Sequence, residues 1–258
     1  MAYFNFAQFN QTAYFWFAQF NQTANFGNSQ FNQTADFSKA QFNQTINFCK
    51  AQFNQTAYFA NTQFNQYSCF TGTQFNQYSY FDRAQFNQAE FEGTQFNQHT
   101  TFDRAQFNRT ADFGDAQFNQ TANFWKTKFK HGAGFLYARF NQTTDFTMAQ
   151  FDHTANFEKV QFNQETHFED ADFLDLSFNN SRFSKEIFFD NAQINGTLSL
   201  YRTKYDKLNI RWSSIHNLAY DDTAYYLLIE NFKKLGFTDD ANECYYSYRC
   251  KRLWELWG

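Results

Sequence analysis

The sequence contains no proline, only nine glycines and no long apolar run. Without a run of about 18 apolar residues, it contains no candidate membrane-spanning helix. The few glycines form no Gly-rich phosphate-binding loop, which argues against nucleotide-dependent enzymes. The absence of proline is compatible with a structure in which nearly every backbone N–H donates a hydrogen bond.

Charge is scarce at the beginning of the chain. From the N-terminus to Tyr80 the only charged side chains are those of Asp36, Lys39 and Lys50. Either amide side chains alone keep this stretch in solution, or a partner or a second copy covers part of it. The formal net charge of the whole chain is −4. We expect no nucleic-acid partner, because phosphate binding requires a basic patch that this sequence lacks.

Cysteine and histidine form no recognisable chemical site. Cys49, Cys69, Cys244 and Cys250 include no CxxC pair, and no histidine stands at metal-ligand spacing from them. The sequence therefore predicts free thiols in a reducing compartment and no metal site. No histidine accompanies a serine or cysteine nucleophile, so we expect no enzymatic activity and no cofactor. The N-terminus shows no basic segment followed by an apolar stretch, which predicts a cytoplasmic location.

Phenylalanine dominates what is present, with 40 Phe in 258 residues. From Phe4 to Phe86 the Phe positions alternate in steps of five and six, a full period of eleven. The unit reads Ala-Gln-Phe-Asn-Gln-Thr-Ala-x-Phe-x-x, and the string Gln-Phe-Asn-Gln occurs eleven times. These steps do not follow one face of a helix. Within a unit, Ala and Phe are two residues apart and share one face of a strand. Each unit is thus predicted to be a short strand with Ala and Phe pointing inward.

Two irregularities show that the basic unit has five residues. Between Phe86 and Phe91 the step is five, because the Thr of the repeat is missing at Gln88-Ala89. Further along, Phe168, Phe173, Phe178, Phe183 and Phe188 are spaced strictly by five. The Thr is therefore interpreted as an extra corner residue in alternate units.

This pattern resembles the pentapeptide-repeat family from about residue 2 to residue 215. The resemblance implies an all-β solenoid, a right-handed quadrilateral β-helix with four units in each coil. The inserted Thr implies about 22 residues per coil and about ten coils, a rod roughly 45 Å long. The competing geometry is a flattened coil of eleven residues, which contains two units instead of four. It is disfavoured because two Phe and two Ala per coil would overfill an interior with only two walls.

The Phe ladder is the predicted structural core: Phe20, Phe31, Phe42, Phe53, Phe64, Phe75, Phe86 and Phe96. Alternate strands carry nearly invariant outward Gln and Asn, which either form stacking ladders or pack laterally against partners. Phe6, Trp16 and Phe17 stand at outward positions of the first coils. They form a candidate interface, at which the end of the β-helix stacks on another copy or a further segment.

The repeat decays towards the C-terminus, which predicts a β-helix over residues 1–218 and a helical cap or linker over residues 219–258. A first helix is expected at 223–235, capped by Asp221 or Asp222 and ended by Gly236. A second begins near Thr238 and runs to about residue 257. Its predicted apolar side consists of Ala241, Cys244, Tyr245 and Tyr248. A solenoid needs such a cap over its last coil.

The last helix carries a second candidate interface. Arg249, Lys251 and Arg252 precede Trp254 and Trp257, an order typical of the cytoplasmic approach to a membrane. The stretches 226–236 and 239–249 resemble the linker of prokaryotic pentapeptide-repeat proteins that continue into a small ion-channel-like membrane domain. A membrane role would therefore require a further domain after Gly258.

The resemblance implies a non-enzymatic scaffold for protein interaction, and the linker implies the cytoplasmic domain of a channel-like membrane protein. One alternative is a DNA mimic that binds type II topoisomerases, against which the uncharged first third of the chain speaks. Another is a rod that assembles into fibres through its N-terminal coils. The sequence does not identify a protein partner, but it predicts a homo-oligomer formed through the N-terminal coil or the C-terminal helices.

Overall fold

The computed structural model describes residues 1–257, with side chains described as far as Leu253. The chain forms a β-solenoid of about ten coils followed by two helices. Gln52 pairs with Gln30 on one side and with Gln74 on the other, so a coil has 22 residues. The predicted four-unit coil is confirmed, and the two-unit coil is wrong. Where the corner Thr is missing the coil is one residue shorter, as between Phe75 and Phe96. We number the coils from their first strand residues, which are Ala2, Ala24, Ile46, Ser68, Ala89, Ala111, Ala133, Ala155, Leu176 and Leu198.

Each coil has four faces, numbered in chain order from the first coil, and strands of successive coils pair in parallel. Faces 1 and 4 join in a 15-stranded sheet with strands Ala2–Tyr3, Gln19–Phe20, Ala24–Asn25, Gln41–Phe42, Ile46–Asn47, Gln63–Cys69, Gln85–Glu90, Gln106–Phe107, Ala111–Asp112, Lys128–Phe129, Ala133–Gly134, Gln150–Asn156, Asp172–Ser177, Gln193–Ser199 and Ile215–Leu218. Face 2 is a nine-stranded sheet with strands Gln8–Phe9, Gln30–Phe31, Gln52–Phe53, Gln74–Phe75, Gln95–Phe96, Gln117–Phe118, Arg139–Phe140, Gln161–Phe162 and Arg182–Phe183. Face 3 is a ten-stranded sheet with strands Ala13–Tyr14, Ala35–Asp36, Ala57–Tyr58, Ser79–Tyr80, Thr100–Thr101, Ala122–Asn123, Thr144–Asp145, Thr166–His167, Ile187–Phe188 and Leu208–Asn209.

The interior is a ladder of phenylalanine rings. Within one column the rings are parallel, as for Phe31 and Phe53, whose centroids are 4.6 Å apart. Between columns they meet edge to face, as for Phe31 and Phe37 at 5.8 Å and 80°. Burial of each ring contributes about 2–3 kcal/mol, and the ring pairs add about 1 kcal/mol. Inward Ala residues leave room for the rings, so one repeated pair of residue types fills the core.

One Phe of the predicted five-residue spacing does not point inward. Phe189, not Phe188, continues the column of Phe168, with ring centroids 4.9 Å apart. Phe188 lies on the outer side of face 3 and stacks on His167. The step from Phe183 to the next inward ring is six because Glu186 takes the place of the extra corner Thr, and Ile187 fills the inward position usually held by Ala. The five-residue step to Phe188 is therefore wrong as a description of the core.

The corners after faces 1 and 3 are tight turns whose third residue adopts a positive φ. At the turn after Phe37, Lys39 has φ 58°, and the N–H of Ala40 donates to the Phe37 carbonyl at 3.0 Å. Only Gly72 and Gly93 supply glycine at such corners in the rod, and the others hold residues such as Lys, Arg, Asn and Asp. A left-handed non-Gly residue costs about 1–2 kcal/mol. The turn and inter-coil hydrogen bonds offset that cost.

A disulfide joins Cys49 and Cys69, whose Cα atoms are 5.5 Å apart. Cys49 lies in a corner of coil 3, and Cys69 lies on face 1 of coil 4. The expectation of free thiols is wrong for this pair, while Cys244 and Cys250 are free. Coil stacking brings together two cysteines that are 20 residues apart in sequence.

Two helices follow the last coil: α1, Asp222–Lys234, and α2, Thr238–Trp257. Asp221 caps α1 by accepting a hydrogen bond from the Ala224 N–H at 2.8 Å, and Gly236 follows with φ 77°. Both helices are confirmed. The apolar side predicted for α2 is wrong at Tyr245, which is exposed, whereas Ala241 and Cys244 are buried. Among the described residues, no helix is long and apolar enough to cross a membrane.

Two buried polar side chains attach the helices to the β-helix. The Asn231 side chain of α1 accepts from the Leu208 N–H at 3.0 Å and donates to the Leu208 carbonyl at 2.8 Å. Asp240 of α2 accepts from Arg211 at 2.9 Å and from the Trp212 N–H at 2.6 Å. Because these bonds satisfy backbone groups of the last coil, the helical pair caps that end of the rod.

Candidate interaction surfaces

The described residues contain no group of three His, Cys, Asp or Glu side chains placed to hold a metal ion. His131 and His153 stack on each other in adjacent coils, with ring centroids 5.0 Å apart. His167 instead contacts Glu169 at 2.9 Å. Burial raises the pKa of the Cys244 thiol to about 12, so this cysteine is protonated at neutral pH. The chemistry of these side chains is that of surface pairs and a buried thiol.

The predicted core residues and the first candidate interface lie on opposite sides of the coil wall. Of the predicted core, Phe20 is half-buried in the first coil, and the other members are buried: Phe31, Phe42, Phe53, Phe64, Phe75, Phe86 and Phe96. Phe6, Trp16 and Phe17 point outward and are 71%, 58% and 55% exposed. Trp16 and Phe17 contact each other with centroids 4.6 Å apart, and Lys39 lies over the Phe17 ring. Phe6, Trp16 and Phe17 form the N-terminal aromatic patch.

The asparagine side chains of face 2 bond to one another along the rod. Each Asn amide donates to the Asn of the previous coil, as from Asn97 to Asn76 at 2.8 Å and from Asn119 to Asn97 at 2.7 Å. The ladder runs through eight residues: Asn10, Asn32, Asn54, Asn76, Asn97, Asn119, Asn141 and Asn163. On face 4 the corresponding bonds among the described residues join only Asn21, Asn43 and Asn65. Face 2 thus pairs its Asn amides with one another, as expected of the stacking-ladder interpretation.

A notch of about 450 Å³ opens on face 1 and was not predicted from the sequence. Gly132 and Gly134 lack the side chains that other coils place there, and the notch is bordered by Asp112 and Asp115. The Asp112 carboxylate accepts a hydrogen bond from the Gly114 N–H at 2.8 Å. The sequence signal that could have predicted this notch is glycine at these two positions of the repeat, because the outward position of face 1 usually carries a side chain.

The outer side of the helical pair is rich in tyrosine, arginine and leucine. On α2, Tyr246 is 75% exposed. On α1, the large side chains of Tyr226 and Leu227 are also exposed. A cavity of about 450 Å³ lies along α2, lined by Tyr245, Tyr248, Arg249, Arg252 and Leu253. The guanidinium of Arg249 lies over the Tyr245 ring. The exposed residues of α2 form the helical surface, defined by Tyr245, Tyr246, Arg249, Arg252 and Leu253.

The predicted basic cluster of α2 is divided. Arg249 and Arg252 are exposed, but the Lys251 ammonium donates to the Leu218 carbonyl at 2.6 Å and to the Asn217 side chain at 2.5 Å. Burial lowers the pKa of Lys251. The Lys251 ammonium is therefore bonded to the end of the β-helix and does not belong to an exposed basic cluster. The side chains of Trp254 and Trp257, the rest of the second candidate interface, lie outside the described residues.

The sequence matches a protein-family model described as pentapeptide repeats (9 copies), over residues 18–63, 81–128 and 124–172. No individual curated protein matches the sequence. Among solved structures, QnrB1, a plasmid-mediated fluoroquinolone resistance protein, is 17% identical with a TM-score of 0.32, covering 88% of this chain and 98% of QnrB1. HetL, involved in heterocyst differentiation regulation in the cyanobacterium Nostoc sp. strain PCC 7120, is 12% identical with a TM-score of 0.23, covering 77% of this chain and 94% of HetL.

Proposed function

Because the chain belongs to the pentapeptide-repeat family, we propose that it is a non-enzymatic scaffold for protein interaction. The observation that carries this proposal is the helical surface, which buried Asn231 and Asp240 fix in place on the last coil. In this proposal residues 1–218 are a rod that positions the helical unit of residues 219–258. The partner is a protein, because a rigid rod end with large exposed side chains suits another folded surface.

The composition of the helical surface supports a protein partner. Tyr and Arg are enriched among the residues that contribute most to protein–protein binding. Tyr246, Arg249 and Leu253 are exposed along α2 in the described chain. Burying large, rigid tyrosine rings costs little conformational entropy for the area gained. Arg249 and Arg252 would favour acidic side chains at the rim of the partner.

A finer proposal is that the protein works in the cytoplasm, as part of a channel-like membrane protein. Its support is the resemblance of residues 226–236 and 239–249 to the linker of such proteins, and the exposed Arg249 and Arg252 near the end of α2. Sequencing the native transcript beyond codon 258 tests it. Apolar spans after that codon are expected, and a stop codon would contradict the membrane assignment while leaving the scaffold proposal intact.

Site-specific photo-crosslinking in the native host tests the scaffold proposal. A photoreactive residue at Tyr246 is expected to give a discrete protein adduct, because this side chain is the most exposed tyrosine of the helical surface. The matched control is the same residue at Gln117 on face 2, a strand position beside the Asn119–Asn97 bond of the Asn ladder. Loss of the Tyr246 adduct in an Arg249→Ser, Leu253→Ser background would support the proposal. Adducts from Gln117 alone, or from neither site, would contradict it.

A second candidate function, self-assembly of rods end to end, is favoured by the N-terminal aromatic patch. The first-coil rings of Phe4, Phe9, Phe15 and Phe20 are only partly buried. Stacking on another copy would cover them together with Trp16 and Phe17. Light scattering that rises with protein concentration, and falls after Trp16→Ser and Phe17→Ser, is the expected result. Concentration-independent scattering would contradict end-to-end assembly.

A further inference from the structure

Face 4 carries opposite charges at two positions that are symmetric along the rod. Its outward strand column runs through successive coils as Gln19, Gln41, Gln63, Gln85, Gln106, Lys128, Gln150, Asp172 and Gln193. Every member is Gln except Lys128 in coil 6 and Asp172 in coil 8. These two lie one coil before and one coil after Gln150 in coil 7. The charges thus interrupt a uniform amide column at equal distances from one point.

The corner column beside this face repeats the same arrangement. It consists of the positive-φ residues Phe17, Lys39, Asn61, Arg83, Arg104, Lys126, Met148, Asp170 and Asn191. Lys126 lies in coil 6, Met148 in coil 7 and Asp170 in coil 8. Cation and anion are therefore again placed one coil on either side of coil 7. In both the strand column and the corner column, a cation and an anion therefore stand at equal distances on either side of coil 7.

These four charges lack ion-pair partners within the described chain. None of its ion pairs includes Lys126, Lys128, Asp170 or Asp172. Lys128, Asp170 and Asp172 are exposed, and Lys126 is half-buried against the Trp125 ring at 4.1 Å.

We propose that two copies of this chain pack face 4 against face 4, antiparallel, about a two-fold axis that runs along the strand of coil 7. Such an axis reverses the rod direction but keeps the strand direction. It brings Lys126 opposite Asp170 of the second copy and Lys128 opposite Asp172, and each pair occurs twice by symmetry.

The remaining positions of face 4 add no further ion pair across this axis, and Lys130 lies opposite the exposed Leu174 of the second copy. Gln106 faces Gln193, so amides meet amides. Met148, which is exposed, meets its own copy on the axis. Asp152 also meets its own copy there, and Lys130, one coil or about 4.8 Å away along the rod, offsets the repulsion between the two carboxylates.

The expected dimer is weak and sensitive to salt. Coils 5 to 9 span only about 24 Å of the rod, which corresponds to an interface at or below the small end of specific protein contacts. Exposed ion pairs each contribute little, and they set orientation and association rate more than affinity. Raising the ionic strength should therefore dissociate the dimer. This contact is separate from the helical surface and from the N-terminal aromatic patch.

Charge-reversal variants in sedimentation velocity test the proposal. One variant carries Lys126→Asp and Lys128→Asp, so that both charged sites are acidic. The other carries Asp170→Lys and Asp172→Lys, so that both are basic. Each alone should self-associate about tenfold more weakly than the wild type, because the symmetric contacts become repulsive. An equimolar mixture should form a heterodimer at low salt, because all four pairs are then complementary between copies.

The matched control is Lys50→Asp with Arg83→Asp, which reverses two cations at the same kind of corner, in coils 3 and 4. This variant should associate like the wild type. A mixture of the two reversed variants that stays monomeric would overturn the proposal, as would a wild type that is monomeric at low salt and high concentration. Equal association of wild type and single variants would also overturn it, and would assign self-association to another surface.

Discussion

Phe75 lies between Phe53 and Phe96 in one column of rings, with centroids 4.9 and 5.3 Å away. It also meets Phe81 edge to face at 5.7 Å. Each ring in the middle of the rod therefore has neighbours above, below and beside it. Removing one ring leaves a cavity that the two flanking coils cannot close without breaking their hydrogen bonds.

Phe75→Ala is expected to lower the free energy of unfolding by about 3–5 kcal/mol, from lost burial and the cavity left behind. Urea denaturation followed by circular dichroism measures it. Phe20→Ala is the matched control, because Phe20 is only half-buried at the first coil and should cost less. Equal effects at both positions would show that stability does not depend on ring stacking along the column.

Asp82 is a partly buried carboxyl whose charged form lowers the stability of the rod. Burial raises the pKa of its carboxyl, although a hydrogen bond from Thr101 at 3.1 Å acts in the opposite direction. A raised pKa in the folded state means that the charged form is disfavoured there. Its contribution to stability is present at acid pH and is lost as the pH rises through the folded-state pKa.

Asp82→Asn is therefore expected to raise the melting temperature at neutral pH, and this gain should shrink as the pH falls towards the ordinary range of an aspartate. Thermal melts from acid to neutral pH measure the difference between variant and wild type. Asp115→Asn, on an exposed corner outside the proposed dimer contact, is the matched control, and its effect on the melting temperature should not follow this trend. A gain that is constant with pH would mean that the charge of Asp82 is not the cause.

At the scale of elements, the Asn ladder of face 2 links adjacent coils through side-chain hydrogen bonds, in addition to the backbone hydrogen bonds between them. Asn97→Ala removes the bonds to both Asn76 and Asn119. It should destabilise the protein by about 1–3 kcal/mol, because the two neighbouring amides each lose a partner.

Asn87→Ala on face 4 is the matched control for the ladder, since Asn87 is similarly half-buried but has no amide bond of this kind among the described residues. Chemical denaturation of the two variants measures the difference. If Asn87→Ala costs as much as Asn97→Ala, the ladder adds nothing beyond local packing.

Local signals in the sequence predicted the elements that depend on local chemistry. Asp221 and Gly236 mark the ends of α1 because capping is decided within a few residues. The disulfide between Cys49 and Cys69 was not predicted, because the pairing depends on the stacking of coils 3 and 4. Phe188 was misassigned since Glu186 replaces the expected Thr. The charge columns of face 4 become visible only when the register of all coils is known.

At the scale of the whole molecule, the coil length decides which residues share a face. Because each coil contains four units, Gln30 and Gln161 both lie on face 2, in coils 2 and 8. The Asn ladder of face 2 and the charge columns of face 4 both follow from this register. With a net charge of −4 and only three charged side chains before residue 81, the rod offers no dense acidic surface, so we do not propose a DNA mimic.

The most direct measurement of the coil register is the distance between spin labels at Gln30→Cys and Gln161→Cys, in a background where the native cysteines are replaced by Ser. Six four-unit coils between the labels predict a separation of about 29 Å along the rod. Two-unit coils would place twelve steps between the labels, or about 58 Å. The shorter distance supports the four-faced rod, and the doubled distance would contradict it together with every surface assigned from its register.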